Sequence, residues 1–135
     1  MPHVVVEFSD NLRERVDVPA LLRAVHAAAL ATGVFPRGGT RTRAEPRGEY
    51  LIADGHPDNA FVHVTLRIGH GRDLPTRRRA GEQVFEVLRT ELAAALEAGP
   101  LAISFEVQEI DPALSWKHNT VHDYVSARDA GRERP

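Results

Sequence analysis

Two stretches of the chain alternate apolar and polar residues with period two, and two longer stretches repeat apolar residues with a helical period. Val62, Val64, Leu66 and Ile68 fall on one side of the run Phe61 to Ile68, and Leu101, Ile103, Phe105 and Val107 on one side of the run Leu101 to Val107. Both read as strands with one buried face. Val4 to Phe8 is a short β-branched run, apolar on both sides, as an inner strand would be. Thr40 to Arg43, leading towards Tyr50 to Ala53, reads as a further strand. Leu21, Leu22, Val25, Ala28 and Ala29 make one helical stripe; Phe85, Leu88, Leu92, Ala95 and Leu96 make another.

The two helical segments echo one another. DVPALLRAVHAAALATG runs from Asp17 to Gly33, and DLPTRRRAGEQVFEVLRTELAAALEAG from Asp73 to Gly99. Each opens Asp-x-Pro, which supplies an N-cap acceptor and a proline where no intrahelical donor is lost. Each closes Ala-Ala-Ala-Leu-x-x-Gly, whose glycine suits a left-handed C-terminal residue. The order is therefore β-α-β twice. This predicts an α+β, two-layer domain: a four-stranded mixed sheet with both helices on one face. A sheet covered on one side only, with Val5, Tyr50 and Phe61 adding apolar surface to the other, is a candidate for oligomerisation. The domain is expected to span 1–125. Asp111 to Tyr124, with the single tryptophan Trp116, suits a short helix or an added strand, and residues 126–135 read as a frayed polar tail.

Composition narrows the class. The chain has 135 residues, 42% hydrophobic and 27% charged, with a formal net charge of −2. That suits one folded domain and argues against a nucleic-acid partner. No cysteine is present, which removes thiolate metal sites and cysteine nucleophiles. Without a signal-like or membrane-spanning run, the expectation is a soluble, cytoplasmic protein.

Candidate chemistry starts at Pro2. If Met1 is trimmed, the chain begins with a secondary amine. An ordinary α-amino group titrates at about 7.7–8.0; apolar walls and nearby cations would pull this nitrogen towards neutrality and make it a general base. Against this, a proline at the first position of a strand needs no catalytic reason. Arg41 and Arg43 share one face of a predicted strand, where guanidinium forks could take carboxylates bidentately, or simply line a solvated edge. Arg72, in GHGRDLP, ends a strand before a helix, a common place for a ligand and also for a surface arginine. Arg77, Arg78 and Arg79 read as a solvated helix face. His118 and His122 have i, i+4 spacing without the accompanying glutamate of a zinc-binding helix, and His63 alternates on a strand face as a packed or exposed residue.

The stretches MPHVVVEFSDNLRE, ATGVFPRGGTRTR, DNAFVHVTLRIGHGRDLPTRRRAGE and LAISFEVQEIDPALSWKHNTVH, in that order, resemble the 5-carboxymethyl-2-hydroxymuconate isomerase family of the tautomerase superfamily. The resemblance runs from Pro2 to about Tyr124. It implies a homotrimer with a barrel-like centre and active sites between subunits. It implies Pro2 as catalytic base and Arg41 and Arg72 as the substrate-binding arginines, with Arg43 beside the first. It implies ketonisation of the tricarboxylate dienol 5-carboxymethyl-2-hydroxymuconate, in homoprotocatechuate and 4-hydroxyphenylacetate degradation, with no metal or organic cofactor. Alternatives are a tautomerase for another 2-oxo or enol acid such as phenylpyruvate, and a non-catalytic trimeric binding protein.

Overall fold

The computed structural model describes residues 2–131. Strand β1, His3–Ser9, leads through a 3-10 turn at Asp10–Glu14 into helix α1, Val18–Ala31; β2 is Arg41–Arg47. Then come β3, Ala60–Gly69; α2, Leu74–Glu91; α3, Ala93–Ala98; β4, Leu101–Ile110; and α4, Val121–Asp129. The sheet order is β2-β1-β3-β4. The outer pairs are parallel and the central β1–β3 pair is antiparallel. This is the mixed four-stranded sheet and duplicated βαβ order expected from the echo.

The period-two pattern decides which face is dry. Val4, Val6 and Phe8 of β1 stand opposite Leu66, Val64 and Val62 of β3, and all six are fully buried beneath the helices. Val25 and Ala29 of α1, and Val84 and Leu88 of α2, complete this core without exposed surface. Side chains of this size each contribute about 1.5–3 kcal/mol of gross burial free energy, so the covered face carries the fold. Asp17 and Asp73 cap their helices by accepting from the backbone N–H of Ala20 and Thr76.

The structure corrects five expectations. β2 ends at Arg47, and Tyr50 to Ala53 is irregular. Ala53 (φ 54°) and Gly55 (φ 81°) there turn the chain in the left-handed region, held by Asn59 Nδ2 donating to Ile52 O (3.0 Å) and Asp54 Oδ1 (2.8 Å). Tyr50 is thus no part of the sheet. The long helix divides at Leu92, which is fully buried while Leu96 is 43% exposed, so Leu96 leaves the core stripe. Gly33 is left-handed (φ 73°) as expected, but Gly99 is extended (φ 169°); its role is close approach, since an added Cβ would meet the Arg15 guanidinium at 3.4 Å. Trp116 lies in an irregular segment between a 3-10 turn at Pro112–Leu114 and α4. Finally, residues 126–129 are helical rather than frayed. Ala127 is buried, and Asp129 accepts from Arg37 Nη1 at 2.7 Å. His122 packs on Gly38, where any Cβ would strike its ring. The rest of the expected tail, 132–135, lies outside the described residues.

Candidate active site

The sheet has a covered face and an open one, and the open one is more polar than the sequence suggested. His3, Val5 and Glu7 of β1 point to it, flanked in register by Arg41, Arg43 and Glu45 of β2 and by Arg67, Thr65 and His63 of β3. Val5 and Phe61 are half-buried there, but charged and polar groups dominate.

Pro2 directly precedes β1 at the end where β1 and β2 begin. It is buried, and its carbonyl accepts from the Arg41 backbone N–H at 3.1 Å. The parallel β1–β2 pairing therefore ties the candidate base to the first residue of β2. His3 follows in register with Arg41 on one side and Arg67 on the other. Its ring meets two guanidinium groups: Arg41 Nη2 lies 3.2 Å from Nε2, and Arg43 Nη1 lies 3.1 Å from Nδ1. Burial, and then the neighbouring Arg41, Arg43 and Arg67 charges, hold the His3 imidazole below its usual pKa.

A cavity of about 550 Å³ opens at the same end of the sheet. His3 and Arg41 form one wall, Gly69 and His70 at the end of β3 another, and Trp116, Lys117 and His118 a third. The third wall comes from the segment after β4. That segment is anchored by Asn119 Nδ2 donating to Gly38 O at 2.8 Å, in the turn that leads into β2.

Arg72 is placed differently. Its Nη1 donates to Gly69 O (3.3 Å) and its Nη2 to Val34 O (3.2 Å), with the guanidinium 5.2 Å from the centroid of Phe35. It pins the β3–α2 loop beside the cavity, through Gly69, and is not among the residues described as lining it. Of the sequence candidates, the structure brings Arg41 and Arg43 together on the His3 ring, ties Pro2 to Arg41 through the backbone, and holds Arg72 on the Gly69 and Val34 carbonyls. The Arg77–Arg79 run is only partly a solvated face: Arg77 reaches Arg72 O (3.1 Å) and Glu109 (3.4 Å), and Arg79 reaches Thr32 O (3.3 Å). His63 sits between Ser104 Oγ (2.6 Å) and Glu106 Oε1 (3.0 Å). His118 and His122 do not share a helix, since α4 begins at Val121.

Comparison with known proteins joins this geometry to a family. The 5-carboxymethyl-2-hydroxymuconate isomerase family model matches residues 2–125. The chain belongs to the 5-carboxymethyl-2-hydroxymuconate isomerase family. A curated member, the 5-carboxymethyl-2-hydroxymuconate Delta-isomerase of Escherichia coli, is 48% identical over 122 residues, covering 90% of this chain and 97% of that protein. The crystal structure of a 5-carboxymethyl-2-hydroxymuconate isomerase from Deinococcus radiodurans R1 superposes with TM-score 0.84 at 39% identity, over 90% of this chain and 92% of that one. The fold alone extends further, to a fused 4-OT wild-type symmetric trimer (TM-score 0.59, 13% identity, 85% of this chain and 94% of that one).

The sequence reading did not single out His3 or Arg67, and it gave Trp116 and His118 no place in the wall they form with Lys117. Arg67 carried a signal: apolar 62, 64, 66 and 68 imply that 61, 63, 65 and 67 face the other way. His3 carried none, because its partners depend on the register between two strands nearly forty residues apart.

Proposed function

We infer that this chain is a cytoplasmic isomerase that ketonises the dienol 5-carboxymethyl-2-hydroxymuconate, using the nitrogen of Pro2 as base once Met1 has been removed. What supports the reading is the backbone hydrogen bond that ties Pro2 to Arg41, a residue that lines the cavity with His3, in a chain of this family.

The chemistry balances with one proton. The Pro2 nitrogen removes the proton of the 2-hydroxyl group; the oxygen becomes a carbonyl, the double bonds shift along the chain, and carbon five takes a proton back from the same nitrogen. Negative charge builds on the dienolate between the two transfers. Arg41, presenting a guanidinium to the cavity, opposes that charge or holds a carboxylate. The cations around His3 disfavour a second positive charge nearby, which favours an unprotonated Pro2 at neutral pH. Arg72 is assigned here to carboxylate binding; its guanidinium gives two of its five N–H donors to the Gly69 and Val34 carbonyls and lies over Phe35.

The functional unit in this reading is a homotrimer. Among the described residues, both outer strands, β2 and β4, have an edge with no partner strand. Trp116 and Leu114 beside the cavity are 84% and 70% exposed, surface that a neighbouring subunit would cover.

The test is ultraviolet monitoring of dienol consumption, with intact mass measured on the same sample. Ketonisation of the tricarboxylate dienol faster than that of phenylpyruvate enol supports the reading. Equal or slower reaction of the tricarboxylate moves the assignment to another tautomerase, and no reaction of either moves it to a binding protein.

A further inference from the structure

We propose that Ser104, His63 and Glu106 form a second reactive site, in which Ser104 is a nucleophile that takes acyl groups from esters with an aliphatic acyl chain. The proposal goes beyond the isomerase reading and uses none of its residues.

Hydrogen-bond arithmetic assigns the roles. Ser104 Oγ lies 2.6 Å from His63 Nδ1, and Glu106 Oε1 lies 3.0 Å from His63 Nε2. Hydrogen bonds from Gln108, and then from His63, hold the Glu106 carboxyl below its usual range. At neutral pH it is therefore a carboxylate, which only accepts. The single N–H of a neutral His63 then sits on Nε2 and donates to Glu106. Nδ1 is left bare, and the Ser104 hydroxyl donates to it. Nucleophile, base and orienting carboxylate thus stand in the order and at the spacing of a serine-histidine-acid triad.

Strand register builds this arrangement. Val62 and Val64 are fully buried beneath the helices, so His63 between them points to the open face. It pairs with Ser104 of β4, and Glu106 is the next residue of β4 on the same side. Across the sheet His63 stands opposite Glu7 of β1, about 13 Å along that strand from His3. The site is therefore separate from the cavity at the strand start. The charged groups around the imidazole on this face are Glu7 from β1 and Glu106 from β4, and Glu7 is itself bound by Arg47 at 2.7 Å.

A place for the acyl chain adjoins it. A groove of about 570 Å³ runs between α2 and β4 and has Ser104 and Glu106 among its walls. Its apolar walls are Leu74 and Phe85 of α2 and Ile103, Phe105 and Val107 of β4. The rings of Phe85 and Phe105 stack with centroids 6.2 Å apart. Walls of this kind suit an aliphatic chain, with the polar groups at one side fixing its reactive end.

The chemistry balances with water as the only co-reactant. Ser104 Oγ bonds to the ester carbonyl carbon as its proton passes to His63 Nδ1. The bond from that carbon to the ester oxygen breaks, and the leaving oxygen takes the proton from Nδ1. Water then adds to the acyl-serine, giving a proton to Nδ1, and Ser104 recovers it as the acid departs. Glu106 keeps its own charge throughout and holds the imidazole in the required tautomer.

The test mixes the full chain with p-nitrophenyl hexanoate or p-nitrophenyl acetate, follows p-nitrophenolate release, and locates the acyl group by peptide mass. The label should lie on Ser104, and the hexanoate should react about tenfold faster than the acetate, the gain from burying about two further methylenes. Ser104→Ala, at an exposed position, should lose the label. His63→Gln can still bond across the strands but is no base; it should slow acylation by about 100-fold and abolish the rise with pH that an imidazole base confers. Glu106→Gln lets the imidazole turn its N–H towards Ser104 and should slow acylation at every pH. Circular dichroism should match wild type in all three variants. Acylation at the Pro2 nitrogen or Lys117 in place of Ser104, a label that survives Ser104→Ala, wild-type rates from His63→Gln, or equal rates from the two esters overturns the proposal. Dienol turnover enters none of these readouts, so the isomerase assignment stands or falls separately.

Discussion

The two ends of the open sheet face are built from the same residue types and behave differently. At the end where β1 and β2 finish, Arg47 is clamped between Glu7 and Glu45. Just behind that end, Arg15 gives its donors to the carbonyls of Ala95, Asp58 and Pro100 at 3.2, 2.6 and 3.0 Å. At the end where β1 and β2 begin, the Arg41 and Arg43 guanidinium groups meet, among the described residues, the His3 ring and no carboxylate. Satisfied arginines hold a fold together; arginines left short of acceptors await a ligand. We propose that the difference marks the functional end of the sheet.

The strongest way to break the contrast is at the strand start. Pro2→Ala replaces the secondary amine with a primary one at the same place, and turnover should fall by about 10²–10⁴, the range of a lost general base, with the circular dichroism spectrum unchanged. Arg41→Ala should lower kcat/KM by about 10- to 100-fold, since a hydrogen bond to a charged group is worth about 1.5–3 kcal/mol, while thermal unfolding stays near wild type. Arg15→Ala should do the reverse. It removes three hydrogen bonds, after which Pro100 O still accepts from the Ala60 backbone N–H, costing about 1 kcal/mol or more in denaturant unfolding, with steady-state kinetics preserved at temperatures where the protein is folded. Equal losses of activity from Arg15→Ala and Arg41→Ala would erase the distinction.

A smaller effect concerns pH. The His3 pKa is lowered in the folded state, so the unfolded chain takes up the proton first. Stability should be independent of this group well above the unfolded value of about 6.5. It should decline as pH falls from there to the lower folded pKa, and then level off. His3→Gln should remove that part of the slope in pH-dependent urea unfolding. The smallest effect belongs to Arg47→Ala, an exposed pair of the kind that contributes little: both activity and unfolding midpoint should stay close to wild type.

Most of the scaffold was legible in the sequence. Strict alternation marked β3 and β4, and the repeated Asp-x-Pro and terminal glycine marked the two helices, because those signals are local. The misreadings came where a local signal was overridden. Tyr50 to Ala53 has strand-like residues, but the tertiary bonds of Asn59 bend that segment into a turn. Gly99 looked like a left-handed cap and is extended instead, pressed against Arg15. Arg41 and Arg43 were found by their shared strand face, and Pro2 by its position. Their relation to His3 and Arg67 was hidden, because it depends on how β1 pairs with both neighbours.

The central claim is that a neutral imino terminus at Pro2 works beside Arg41 on a polycarboxylate dienol. The most direct measurement compares the ketonisation rate of protein beginning at Pro2 with that of protein shown by intact mass to keep Met1. The prediction is rapid turnover by the first and almost none by the second, whose proline nitrogen is an amide. Equal rates from both forms would contradict it.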